Sequence, residues 1–280
     1  RTLESYRKLS KLSHESSDDK IFAVIGGGFI GAEIAAALSM NHKKVVMLMP
    51  EEGIAARIFP HDLSQYVNEY YRGKGVDVRT GVKVTGEAFQ DGRHHLQVSK
   101  GAEVVADYLV AGIGIILNVD VAQAACLRTD HGIMVDEYLA TNKPGIFAAG
   151  DAAVYYSPAL KKWMNFEHED NANTMGRIAG RNMAGANEKF DHLSYFYSDL
   201  FDLAYEAVGE LDSRLNTVAD WAEPFKKGVI YYFKEDRICG VLLWNVWDMV
   251  PDARKLISSP GPYHPEDLDK TQPPAWKIKF

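Results

Sequence analysis

Residues 26–31 read Gly26-Gly27-Gly28-Phe29-Ile30-Gly31, a G-x-G-x-x-G spacing whose chemistry is the holding of a pyrophosphate. The first glycine permits a tight turn, the second lets backbone approach the phosphates, and the third lets a helix press on a strand. Amides at the start of that helix then meet the phosphates with a partial positive charge. Glu51 and Glu52 follow Met49-Pro50 where a carboxylate can hold a ribose diol, which favours NAD(H) over NADP(H); Arg57, slightly further on, would suit a 2′-phosphate instead. Glu33 is the one charge between residues 21 and 38, on an otherwise apolar helix, and a poorly solvated carboxylate calls for a partner. Further along, residues 141–153 (TNKPGIFAAGDAA) bring Gly150-Asp151 to a strand end, where a carboxylate suits sugar or ribityl hydroxyls or caps the next helix.

These groups need elements to place them. Residues 20–25 (KIFAVI) form a fully apolar run ended by glycines, the pattern of a buried parallel strand. A small-residue helix over 29–41 and a second buried strand over 44–49 complete a βαβ unit, which removes any need to read the apolar stretch 21–38 as a membrane span. Residues 1–19 predict an arriving helix or linker. A helix near 61–73 and a strand at 76–79 follow, then a β-meander over 82–99 and 103–110 and a short buried strand at 145–149. A helix over about 168–184 comes next. After Phe190 the chain turns aromatic, predicting an α+β module with strands near 228–234 and 237–245. Five of the 11 prolines fall in the last 21 residues, so the tail is expected to be extended or mobile.

Composition narrows the functions. The 280 residues, 46% hydrophobic, suffice for about two domains, and a net charge of −7 offers nucleic-acid phosphates no general attraction, so DNA binding is disfavoured. The two cysteines, Cys126 and Cys239, have no CxxC spacing and no neighbouring histidine cluster, so no metal is expected and both are taken as buried thiols. No signal peptide is visible, but the chain begins with Arg1 rather than Met, so targeting stays open.

The segment 141–153 resembles the second flavin-binding motif of the pyridine nucleotide-disulfide oxidoreductase superfamily. Gly26 and Asp151 lie 125 residues apart with Ala111-Gly112-Ile113-Gly114 between them, similar to a nicotinamide domain running into a second flavin half. No other G-x-G-x-x-G precedes residue 26, so the first flavin half is read as missing. Residues 228–257, with Ser198-Asp199-Leu200 and Tyr205-Glu206-Ala207-Val208-Gly209 before them, resemble the C-terminal domain of the apoptosis-inducing-factor family. The resemblance covers about residues 1–268.

It implies an α/β chain with a Rossmann-like NAD-binding domain (1–115), the second half of an FAD-binding domain (116–193) and an α+β C-terminal domain with a mobile tail (194–280). It also implies hydride transfer from NADH to FAD, a mitochondrial intermembrane-space protein with maintenance and cell-death roles, nuclear relocation in cell death, and dimerisation on NADH reduction. Carried over by position, Phe29 and Glu33 lie by nicotinamide and flavin, Glu51 on the ribose and Gly114 near the cofactor. Asp151 lies on FAD, Glu167 and His168 at the flavin edge, and Tyr197 where the vertebrate protein has a Trp near the redox centre. The alternative readings are that Phe29 and Tyr197 are ordinary core aromatics and His168 a helix-start histidine. The chain departs from the vertebrate pattern in its acidity and in having no long acidic loop between Trp221 and Gly228. A different class of function, a non-catalytic scaffold, would use the strand at 229–233 as an exposed edge for a partner strand.

Overall fold

The apolar run after Lys20 is strand β1 (Ile21–Ile25), with Phe22, Ala23 and Val24 wholly out of solvent, and it sits inside a parallel sheet as its lack of alternation requires. The computed structural model describes residues 2–264, 266 and 277–279. By contacts these form two units: Arg1–Gly114 with Ser198–Ala204 and Asp212–Arg214, and Ile115–Tyr197 with Tyr205–Leu211 and Leu215–Phe280.

In the first unit, helix α1 (Leu3–Glu15) leads into β1, helix α2 (Phe29–Met40) and strand β2 (Lys44–Leu48). Helix α3 (His61–Gly73) and strand β3 (Val76–Arg79) follow. Strands β4 (Val84–Gln90), β5 (Arg93–Val98) and β6 (Val104–Ala106) make an antiparallel sheet, and β7 (Tyr108–Ala111) joins the parallel one, ordered β3-β2-β1-β7. The expected meander is therefore cut at Asp107. Its carboxylate accepts from the Ile21 amide at 2.9 Å and from Lys20 Nζ at 3.1 Å, and its own amide donates to the Ile21 carbonyl, so one residue ends β6 and sends β7 alongside β1. Ala23 of β1 packs with Leu48, Leu96, Val104 and Ala106 towards the antiparallel layer. Val24, its neighbour, points to the other face and lies against the glycine end of α2.

In the second unit, α4 (Asp120–Ala124) precedes β8 (Ile133–Met134), β9 (Ala153–Ser157) and β10 (Lys162–Met164), which form one small sheet ordered β10-β9-β8. Helix α5 (Glu169–Met183) packs Met175, Ile178 and Ala179 with Leu139, Tyr155 and Phe190. The last module has strands β11 (Tyr195–Leu200), β12 (Leu203–Gly209), β13 (Asn216–Glu223), β14 (Lys227–Lys234) and β15 (Arg237–Trp244), then helix α6 (Val250–Ser258). Its sheet order is β11-β12-β15-β14-β13, and Ala253, Leu256 and Ile257 of α6 join the cluster of Val229, Tyr231, Val241 and Leu243.

Several expectations are corrected here. Residues 145–149 are not a buried strand: Gly145 and Ile146 are exposed, and Phe147 makes only an isolated antiparallel bridge to Ala140. The strand at 229–233 is not an edge, because β14 is hydrogen-bonded to β13 on one side and β15 on the other. Cys239 is buried as expected, whereas Cys126 is exposed, on a turn after α4 with a φ of 56°. The tail expected to be mobile lies largely outside the described residues, although Ile278 within it is buried and its amide donates to the Tyr231 hydroxyl at 3.1 Å. No helix among the described residues is long and apolar enough to cross a membrane, and none of them gathers three potential metal ligands.

Candidate functional site

In the parallel sheet the chain leaves β1 towards β2 on one side, while β7 lies on the other, so the carboxyl end of β1 is the switch point where an open α/β sheet receives a ligand. The loops that meet there are residues 26–28 and 112–114. They are pressed together: a Cβ on Gly26, whose φ is +108°, would lie 2.3 Å from the Gly112 carbonyl oxygen, and one on Gly31 would lie 2.1 Å from the Gly26 oxygen. The first and third glycines are thus required by packing. Gly28 differs, since a Cβ there would meet nothing within 4 Å and its φ of −72° is ordinary. It faces open space at the N-terminus of α2, where no side chain caps the first-turn amides. Orphan donors beside open space fit the pyrophosphate of a dinucleotide.

Gly114, on the second loop, is exposed and also faces open space. Phe29, the first residue of α2, is 37% exposed and so is no core aromatic. Beyond β2, the Glu51 carboxylate accepts from Arg57 Nη2 at 2.7 Å and Nε at 3.1 Å, while Glu52 is exposed. The acid and the cation weighed as rival determinants of the ribose site are therefore one ion pair. The Arg57 carbonyl in turn accepts from the Ser213 amide at 3.0 Å, which fixes that loop.

Glu33 is half-buried, and burial raises its carboxyl above the usual carboxylate range. The Ser198 hydroxyl, 2.6 Å from Glu33 Oε1, and the backbone amide of Asp199 oppose that rise, while the Asp199 charge adds to it. The partner that a carboxylate on this helix demands is thus supplied from 165 residues away. Sequence reasoning singled out Ser198-Asp199-Leu200 without giving these residues a role. Nothing local to them signals that they meet α2.

A second group of candidate residues belongs to the second unit. Asp151 lies in a 3-10 turn, Gly150–Ala152, whose Gly150 packs against Ala172 in the first turn of α5. His168 is the N-cap of α5, its Nδ1 3.5 Å from the Asp170 amide, so the helix-start role is real. Burial lowers its pKa, against the upward pull of Glu169, Asp170 and Asp151. Tyr197, 41% exposed, sets its ring edge-on to His168 at 4.9 Å and donates from its hydroxyl to Glu169 at 3.1 Å. Glu167, just before the cap, is half-buried. With Glu169 and Asp170 already in its first turn, this helix start suits hydroxyls and ring edges better than another anion.

The description Pyridine nucleotide-disulphide oxidoreductase matches residues 1–176, more than half of the chain. The chain belongs to this family. Residues 179–225 and 220–259 match the C-terminal domain described as Apoptosis-inducing factor, mitochondrion-associated. Among relatives of this chain, apoptosis-inducing factor 1, mitochondrial, of Dictyostelium discoideum is 32% identical over 92% of the chain and 52% of its own length. The putative apoptosis-inducing factor 1, mitochondrial, of Drosophila melanogaster is 27% identical over 96% of the chain and 43% of its own length. The chain therefore spans about half the length of these relatives. Among solved structures, the ferredoxin reductase for the CYP199A2 system from Rhodopseudomonas palustris superposes with a TM-score of 0.86 at 29% identity, covering 95% of the chain and 66% of the reductase. Putidaredoxin reductase in its covalent complex with putidaredoxin gives 0.85 at 27% identity, covering 97% and 65%.

Proposed function

We propose that this oxidoreductase is of the apoptosis-inducing-factor type and uses NADH to reduce an FAD. The observation that carries this is the close-packed glycine turn with Gly28 left open at an uncapped helix start, within a chain whose family is shown. The first-turn amides of α2 hold the pyrophosphate and Glu51 holds the ribose diol. Phe29 and Glu33, one and five residues beyond Gly28, border the nicotinamide, and Gly114 leaves room for the cofactor. In the second unit Asp151 faces the flavin's hydroxyl-bearing chain, with Glu167, His168 and Tyr197 at its edge. NADH supplies a hydride and FAD accepts it; the chain's own groups bind, orient and tune. Boundaries near residues 115 and 193 divide these roles among a nicotinamide domain, a second flavin half and the C-terminal domain.

The names of both apoptosis-inducing relatives support a mitochondrial setting. We further propose the intermembrane space, maintenance and cell-death roles, nuclear relocation, a protein partner at the C-terminal domain and dimerisation on NADH reduction. Because β14 is interior, a partner strand has to use another edge. Calorimetric titration of the 280-residue chain tests the nucleotide half of the proposal. NADH is expected to bind, and an absence of heat with both NADH and NADPH would sink it.

A further inference from the structure

The turn between β11 and β12 groups with the first unit although its strands belong to the C-terminal sheet, and its contacts show how. Phe201, at the tip with a φ of 63°, sets its ring edge-on to Tyr71 at 5.0 Å and Tyr70 at 5.9 Å on α3. Asp202 pairs with Lys74 at 2.8 Å and accepts from the Tyr70 hydroxyl. At the other end of the same tip, Ser198, 1% exposed, donates to Glu33 of α2 at 2.6 Å. One seven-residue segment, Ser198–Ala204, is therefore clamped on α3 and reaches the carboxylate on α2. A buried hydroxyl with so short a bond to a half-buried carboxylate fixes the rotamer of that acid, which a solvated glutamate would not keep.

We propose that Ser198 is a positioning residue for Glu33 at the nicotinamide end of the dinucleotide site, so that the β11–β12 tip sets the direction and ionisation of that carboxylate. This rests on the assignment of NADH to the glycine turn. On this proposal Ser198 acts through Glu33, to which its hydroxyl donates. Among the described residues, the groups that face Glu33 and bear on its charge are the Ser198 hydroxyl, the Asp199 amide and the Asp199 carboxylate. The first two favour the ionised form and the third opposes it, so loss of the hydroxyl leaves burial and like charge less opposed.

The test uses the 280-residue chain with 13C-labelled glutamate carboxyls, the Glu33 resonance being identified by its loss in Glu33→Gln. In Ser198→Ala the Glu33 titration midpoint is expected to move upward, and in Ser198→Thr, which keeps the hydroxyl, to return towards the parent. NADH affinity measured against ADP-ribose affinity is expected to change about threefold in Ser198→Ala and not in Ser198→Thr, because ADP-ribose lacks the nicotinamide that Glu33 borders. An unmoved midpoint in a folded Ser198→Ala overturns the proposal whatever the nucleotides do. A moved midpoint with an unchanged NADH to ADP-ribose ratio overturns the positioning role, since Glu33 would then be held away from the nicotinamide. Failure of both nucleotides to bind the parent chain would instead overturn the glycine-turn assignment, while the midpoint still reports whether Ser198 holds Glu33. If Ser198→Ala does not fold, Ser198→Cys, a weaker donor of similar size, replaces it with the same expected directions.

Discussion

Glu51 and Arg57 form one ion pair, which bears on the nucleotide choice proposed for this site. With Glu51 on the ribose as proposed, Arg57 neutralises the acid that should repel a 2′-phosphate, and selectivity would depend on how far Glu51 leaves Arg57 for the ribose diol. NADH is expected to bind about tenfold more tightly than NADPH, a difference of about 1.4 kcal/mol. Arg57→Ala should widen that ratio and Glu51→Ala should erase it; calorimetry with both nucleotides checks this, and a ratio indifferent to both changes would remove Glu51 from the ribose. A second cluster makes a prediction about stability. The Asp170 carboxylate accepts from His192 Nε2 at 2.7 Å, Arg254 Nη2 at 3.1 Å and the Tyr195 amide at 3.2 Å. Burial alone would raise its pKa, but the His192 hydrogen bond and charge, the Tyr195 amide and Arg254 outweigh it, so it titrates below its ordinary 3.8. The folded state thus prefers the ionised acid. Its contribution is complete above the unfolded value and is lost as pH falls through the depressed folded one. Asp170→Asn should cost about 1–3 kcal/mol at neutral pH by leaving Arg254 without its carboxylate, and melting curves of parent and variant should converge in strong acid. Curves that stay equally separated down to the lowest pH would show that the loss is not one of charge.

The three glycines of the α2 entry look alike in sequence and differ in duty. Gly31→Ala would put a methyl group 2.1 Å from backbone oxygen, and Gly26→Ala one at 2.3 Å with a strained φ as well, so both should lose several kcal/mol or fail to fold. Gly28→Ala has room and ordinary dihedrals, so it should melt within about 0.5 kcal/mol of the parent. It should nevertheless weaken NADH about tenfold or more, because its methyl group occupies the space beside the first-turn amides. Unimpaired NADH binding by Gly28→Ala would move the pyrophosphate elsewhere. The strands carry a parallel lesson. The run at 229–233 has every sequence mark of a strand; it lies between β13 and β15, and Val229, Tyr231 and Phe233 are buried in one cluster with Ala253, Leu256 and Ile257 of α6. Hydrogen-bonded on both sides, it has no free ladder groups for a partner.

At the scale of the molecule, the glycine turn lies within one unit, while Asp151, Glu167, His168 and Tyr197 lie within the other. A flavin needs a loop for its own pyrophosphate, and the single G-x-G-x-x-G of this chain is assigned to NADH. The 280-residue chain is therefore expected to carry FAD far below one per chain after purification, while still binding NADH. Absorbance near 450 nm against protein concentration checks this, a wavelength set by the flavin itself and approximate. Near-stoichiometric flavin would mean that the second unit suffices as a binding site. Loops at the surface of both units show exposed apolar side chains, Ile113 at 74% and Ile116 at 98%, in a stretch whose apolarity alone would have suggested burial.

The chain's residues determined those features whose cause is local. The glycine turn could be recognised because only residues without Cβ fit where backbone meets backbone, and β1, α2 and β2 because burial on both faces of a parallel strand and a small-residue helix face leave runs that no loop shares. The resemblance in residues 141–153 and 228–257 carried the family, which the matches then showed. Tertiary structure alone decided the pairings between distant segments. Ser198 meets Glu33 across 165 positions, Asp107 divides two sheets by bonding to Ile21, and the Arg57 backbone is held by Ser213. A hydrogen-bond donor is visible in a sequence, but its acceptor is chosen by the packing of helices and strands around both, and that packing leaves no periodic trace in either segment.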